Sequence, residues 1–323
     1  MALDVIAHNL LTPLVLAFVL GVVAALAKSD LRLPEPLYAS LSLYLLLAIG
    51  LKGGVALSKT PLLVFLWPAL GTLALGVATP LSAFAVLRAL RFSRIDAGAI
   101  AAHYGSVSAV TFLAAVSYAA LAGHPAEGFL PALVALLEVP AIVVGLLLAT
   151  GLRARTGAGG EASWKTALHE VLVSKSIVLL VGGLVIGAVV GERGMAPVAP
   201  FFVTGFQGAL TLFLLEMGLL TAARLRDLRA VGARLVGFAI ALPIVHGLVG
   251  AFVGHLCGLG TGGAAVLGAM ASSASYIAAP AAVRIALPEA SPTLYLTGAL
   301  GITFPFNLTL GIPLYYAVAA WLG

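Results

Sequence analysis

Two clusters of small hydroxyl residues sit deep inside otherwise apolar stretches: Gly105-Ser106-Val107-Ser108-Ala109 and Ser272-Ser273-Ala274-Ser275-Tyr276. Serine satisfies an orphan backbone N–H as a helix cap better than it continues a helix interior, so glycine and serine together predict an interruption of the helix at each cluster. Each break starts a new half-helix, whose N-terminus carries partial positive charge and unpaired N–H groups, a ready site for an anion. Ser106, Val107, Ser108, Ser272, Ser273 and Ser275 are therefore the candidate anion-binding residues, in a site built without basic side chains. The competing structural role, serines gluing neighbouring helices together, applies more readily to one cluster than to a matched pair.

A second chemistry lies close by in the sequence. Pro140 and Pro305 deny a hydrogen bond to the carbonyls four residues earlier, Leu136 and Gly301, and predict broken helices in Glu138-Val139-Pro140 and Thr303-Phe304-Pro305-Phe306-Asn307. Freed carbonyls, with the side-chain oxygens of Thr303 and Asn307, are hard ligands suited to Na⁺. Glu138 is an ionisable group in an apolar span, by default a functional position. The sodium candidates are thus Glu138, Gly301, Thr303 and Asn307; no transition-metal site and no organic cofactor are expected. An anion crossing the centre would have only dipoles for compensation unless a cation travelled with it, which favours cation coupling. Glu216 reads equally well as a structural pair, His103 and His246 as packing histidines, and Asp227 as a solvated charge among Arg224, Arg226 and Arg229.

These residues must be positioned by membrane helices. Of the 323 residues 62% are hydrophobic and only 9% charged, with a mean hydropathy of +1.14, far beyond a soluble domain. Ten apolar runs long enough to cross a bilayer can be drawn, at residues 10–27, 37–57, 62–87, 97–121, 129–152, 172–190, 201–222, 235–256, 264–287 and 294–322. Placing them alternately puts fourteen of the 17 Lys and Arg on one side, and only Lys52, Lys59 and Arg193 on the other. The positive-inside rule then predicts both termini outside a plasma (inner) membrane. That distribution also accounts for the net charge of +5 without a nucleic-acid partner. Met1-Ala2-Leu3-Asp4 shows no positive n-region, so no cleaved leader is expected. Cys257, the one cysteine, cannot form an intrachain disulfide.

The basic residues of the middle, Arg153, Arg155, Lys165 and Lys175, mark a cytoplasmic linker (153–171) between two five-span halves, 1–152 and 172–323. Leu41-Ser42-Leu43-Tyr44-Leu45-Leu46 in span two matches Leu210-Thr211-Leu212-Phe213-Leu214-Leu215 in span seven; the serine clusters match in spans four and nine, and the proline motifs in five and ten. Five is odd, so the second copy runs through the membrane in the opposite sense, the inverted-repeat plan of secondary transporters. The expected fold is an all-α polytopic membrane protein of ten transmembrane helices in two inverted repeats, with helices four and nine broken.

At Ile49-Gly50-Leu51-Lys52-Gly53-Gly54, Ser272 to Ala278, Pro280-Ala281-Ala282-Val283-Arg284 and, most densely, Thr303-Phe304-Pro305-Phe306-Asn307-Leu308-Thr309-Leu310-Gly311-Ile312-Pro313, the chain resembles the SbtA-type sodium-dependent bicarbonate transporters. The resemblance implies Na⁺/bicarbonate symport, not enzymatic activity, by a homotrimer. It also implies a core (spans three to five and eight to ten) moving against a scaffold (spans one, two, six and seven). Relatives are inhibited by a PII-like protein at the cytoplasmic face; the short central linker here puts that partner in doubt, and Glu138 stands where the relatives carry aspartate. The alternatives left open are a Na⁺- or H⁺-coupled carrier of another small anion on a bile-acid-symporter-like plan, a passive channel, and an intramembrane hydrolase using Ser106 or Ser108 with His103 or His246. The hydrolase lacks the Gly-x-Ser-x-Gly context.

Overall fold

The computed structural model describes residues 11–150, 172–225 and 227–323, together with His169. Leu10 at the start of the first expected span, nearly all of the linker with Arg153, Arg155 and Lys165, and Arg226 lie outside the described residues, as does the side chain of Arg229. Among the described residues every regular element is a helix. In chain order they are α1 (Pro13–Leu26), α2 (Glu35–Lys59), α3 (Leu62–Ala89), α4 (Arg94–Gly105), α5 (Ala109–Leu121), α6 (Leu130–Thr150), α7 (Lys175–Met195), α8 (Phe206–Leu225), α9 (Leu228–Leu256), α10 (Thr261–Ser272), α11 (Ala278–Ala286) and α12, a continuous helical run over Pro292–Leu322. Eight helical stretches are long and apolar enough to cross a membrane, with Arg94–Leu121 counted as one. The other two expected spans are occupied by shorter apolar helices, α1 and α10 followed by α11.

Both predicted serine interruptions are present, between α4 and α5 and between α10 and α11. The proline motifs behave differently from expectation. Pro140 lies inside α6 and Pro305 inside α12, and neither ends its helix. Around Pro305 the helix widens into π turns over Thr297–Thr303 and Asn307–Gly311, with Phe304 N–H bonded to Ala299 O and Ile312 N–H to Asn307 O. The wider register absorbs the bond that proline cannot make.

Thr12, Ser93, Ser108 and Ser174 each cap a helix start with their hydroxyl. Ser93 Oγ accepts from Asp96 N–H at 3.0 Å and donates to Asp96 Oδ2 at 2.7 Å. The other Asp96 oxygen accepts from Ser291 N–H at 2.9 Å, which ties the start of α12 to that of α4.

Packing sorts the helices into groups. α2 lies on α7 and α1 on α8, while α3, α4 and α6 pack together, as do α9, α10 and α12. The two pairs meet at backbone contact through glycine: a Cβ on Gly187 would lie 2.1 Å from Leu51 O, and one on Gly218 2.1 Å from Phe18 O. Small residues that admit such approach are the usual adhesive between helices in lipid, where apolar burial gives no drive. In Arg94–Leu121, 89% of the most apolar stretch is enclosed by other helices, against 33% in Leu62–Ala89; the broken span is the centre of the molecule and α3 its perimeter.

The first half also caps a helix of the second. Glu127 Oε1 accepts from Gly260 N–H at 2.7 Å, at the start of α10, where Gly260 has no side chain to serve as a cap. Glu127→Ala is expected to cost about 1 kcal/mol, lowering the thermal midpoint by a few degrees, with Glu127→Gln retaining most of it. An unchanged midpoint in the alanine variant would show that the carboxylate does not cap α10.

Candidate functional site

Each break is shaped by its own serines. Ser106 and Ser273 are extended, with ψ of 166° and 165°. Ser108 Oγ caps α5 by accepting from Thr111 N–H at 3.2 Å, and Ser275 Oγ accepts from Ala279 N–H at 3.3 Å in the first turn of α11. The breaks are also bonded to each other. Ser108 N–H donates to Ser273 Oγ at 2.9 Å, Ser275 N–H donates to the His103 carbonyl at 2.8 Å, and Ser108 Oγ donates to the Tyr276 hydroxyl at 3.1 Å.

The six candidate anion residues are all buried, yet they differ in role. Ser272 and Ser273 turn their hydroxyls back onto the Ala269 and Met270 carbonyls, while Ser106 Oγ has no partner among the described residues. Val107, Ser108 and Ser275 wall a small cavity of about 10 Å³ together with Tyr276, Ile277 and Glu138, near the lower limit for one water. The starts of α5 and α11 both reach this cavity, so their N–H-rich ends share one space. Glu138 enters from α6; it is buried and makes no hydrogen bond among the described residues. Leu46 of α2 and Ser176 and Leu180 of α7 complete the wall.

The other cation candidates form a second grouping. Thr303 Oγ1 donates to Ala239 O on α9 at 2.7 Å and meets Tyr104 OH at 2.8 Å. Asn307 Nδ2 donates to Ser272 O at 3.2 Å, at the end of α10, and its Oδ1 accepts from Tyr315 OH at 3.0 Å. Thr303 and Asn307 thus touch the frame of both breaks. Gly301 faces α8, where a Cβ would lie 3.1 Å from Arg224 Cβ. No hydrogen bond among the described residues links Glu138 to Thr303 or Asn307.

Sequence reasoning passed over Tyr104, Tyr276, Tyr315 and Ser176. Tyr104 and Tyr276 flank the serine clusters and were legible as neighbours of the breaks; Tyr315 and Ser176 arrive only through packing. Glu216 takes the structural role, accepting from Leu33 N–H at 3.3 Å. Asp227 lies 3.6 Å from Arg224. His103 pairs through Nδ1 with Ala99 O and stacks on Tyr295, and His246 pairs through Nε2 with Ser82 Oγ. Among the described residues neither histidine ring bonds to Ser106 or Ser108.

Eight membrane-length helical stretches, with two interruptions bonded to each other at the centre, define a polytopic all-α membrane protein. The sequence profile of the Na⁺-dependent bicarbonate transporter superfamily matches residues 13–320, nearly the whole chain, and the protein belongs to that family. No curated protein matches it.

Proposed function

We propose that the protein is a sodium-dependent bicarbonate symporter of the plasma membrane, a homotrimer with both termini outside, working by alternating access. Bicarbonate is held at the breaks by Ser106, Val107, Ser108, Ser272, Ser273 and Ser275, and Na⁺ is taken by Glu138, Gly301, Thr303 and Asn307. One observation carries this reading: two helix N-termini and a carboxylate share a single cavity. Without a cation, the Glu138 carboxylate is the anion facing those N-termini and repels a second one. Sodium neutralises it and frees the N–H groups for bicarbonate, so each ion raises the affinity for the other.

The inverted repeat supplies the access argument. Extending the matched segments pairs Tyr38 with Gln207, Arg284 with Ser117, and Leu296 with Pro131. Tyr38, Arg284 and Leu296 wall an open cavity of about 310 Å³. Two of their counterparts are in contact, Gln207 Nε2 donating to Ser117 Oγ at 3.2 Å, and the third, Pro131, packs on α2, where a Cβ on Gly53 would lie 2.6 Å from Pro131 Cβ. The wider opening on the arginine-rich side supports the reading of an inward-facing state in an elevator cycle, in which α3–α6 and α9–α12 travel against α1, α2, α7 and α8. The short central linker argues against a PII-like regulator.

The test is uptake of radiolabelled bicarbonate into proteoliposomes under an inward Na⁺ gradient, compared with choline. Uptake confined to Na⁺ is expected; equal uptake in choline overturns the coupling. In the same assay Thr303→Ala and Asn307→Ala are expected to raise the Na⁺ concentration for half-maximal uptake roughly tenfold, about the value of one hydrogen bond to a charged group. Unchanged Na⁺ dependence in both would remove them from the cation site.

A further inference from the structure

The open cavity has a chemistry of its own. It lies between α2, α8, α11 and α12, and its walls include Tyr38, Arg224, Tyr276, Pro280, Arg284 and Leu300. Tyr276 joins it to the breaks, because the same residue walls the Glu138 cavity and accepts from Ser108. Among the described residues no carboxylate lines it. Arg224 has Asp227 at 3.6 Å, with both side chains more than a third exposed, a pairing of little strength in water. Arg284 is exposed and makes no ion pair or hydrogen bond among the described residues. The repeat adds a contrast: the counterparts of Arg224 and Arg284 in the first half are Val55 and Ser117, so the charge belongs to one side of the membrane only.

We propose that the cavity walled by Arg224, Arg284 and Tyr276 is a second anion site, separate from the breaks, for a small oxyanion. A guanidinium presents parallel N–H donors that match two oxygens of a carboxylate-like group or of phosphate alike, so the site takes a small oxyanion through charge and donor geometry. The identification of bicarbonate as its occupant rests on the transport reading above. In that reading the site receives the anion as it leaves the breaks, and it fills from the cytosol when internal bicarbonate is high, which slows further release.

The test separates the two claims. Purified full-length protein in detergent, with choline replacing Na⁺ and ionic strength held constant, is titrated with bicarbonate and in parallel with inorganic phosphate, while thermal unfolding is followed by fluorescence. A saturable rise in midpoint with bicarbonate, lost in the Arg224→Gln/Arg284→Gln double variant, is expected. No saturable rise in the wild type, or an equal rise in the double variant, overturns the site. A rise with phosphate and none with bicarbonate overturns bicarbonate as the occupant. If the double variant does not fold, Arg284→Gln alone serves, since its side chain is exposed. In proteoliposomes preloaded with bicarbonate, the ratio of the internal concentration that halves uptake to the external half-saturation concentration should increase about tenfold in Arg284→Gln; an unchanged ratio overturns the exit role. Absence of Na⁺-driven uptake in the wild type would instead count against the transport reading, and the binding titration would still decide the site.

Discussion

Glu138→Gln is expected to lower Na⁺-driven bicarbonate uptake about 100-fold while leaving the protein folded. The change keeps the shape of the side chain and removes only its charge, and Glu138 makes no hydrogen bond among the described residues that the amide would break. The charge matters because a carboxylate and a Na⁺ about 5 Å apart attract by roughly 3 kcal/mol at an effective dielectric of about 20, a factor of about 100 or more in affinity. Without the cation, bicarbonate would cross with only helix ends for compensation. Glu138→Asp keeps the charge and is expected to transport. The readout is initial uptake against Na⁺ concentration, with gel filtration and thermal midpoint as controls for folding. Uptake by Glu138→Gln within threefold of wild type at every Na⁺ concentration would show that the coupling ion is held elsewhere.

Two glycines five residues apart on α7 should give opposite results. At Gly182 a Cβ would meet nothing within 4 Å, whereas at Gly187 it would lie 2.1 Å from Leu51 O and 2.9 Å from Leu51 C. Gly182→Ala is therefore expected to hold or raise the midpoint, by up to about 1 kcal/mol from helix propensity. Gly187→Ala must push α2 and α7 apart against backbone atoms that cannot rotate away. A loss of about 4 kcal/mol belongs to such overpacking, seen as a midpoint lower by about 10 °C or as little folded protein. Equal midpoints for the two variants would mean that α2 and α7 do not meet at this glycine.

The serine clusters were the most legible feature, because a break in an apolar helix needs residues that satisfy backbone groups locally. Ser106, Ser108, Ser273 and Ser275 occur where such groups are freed. Proline misled for a related reason. Pro140 and Pro305 do remove hydrogen bonds, but an enclosed helix can widen its register or leave a carbonyl to a neighbour, so neither helix ends. The approach of Glu138 to Ser108 and Ser275 was not legible at all. It requires residues from both halves to converge, and neither spacing nor hydropathy records which faces meet. Charge counting put Arg224 and Arg284 on one side yet said nothing of depth, and the two line one cavity.

The bonds between the breaks also constrain how the protein is made. Ser108 N–H and the His103 carbonyl belong to the first half of the chain, and their partners, Ser273 and Ser275, emerge from the ribosome more than 160 residues later. During that interval the first interruption sits in the bilayer with backbone groups unpaired, a state that lipid penalises by several kcal/mol for each group. The first half alone would carry that cost until the late helices arrive. The centre of this protein is completed at the end of synthesis, and a chain released early would carry the defect into the membrane.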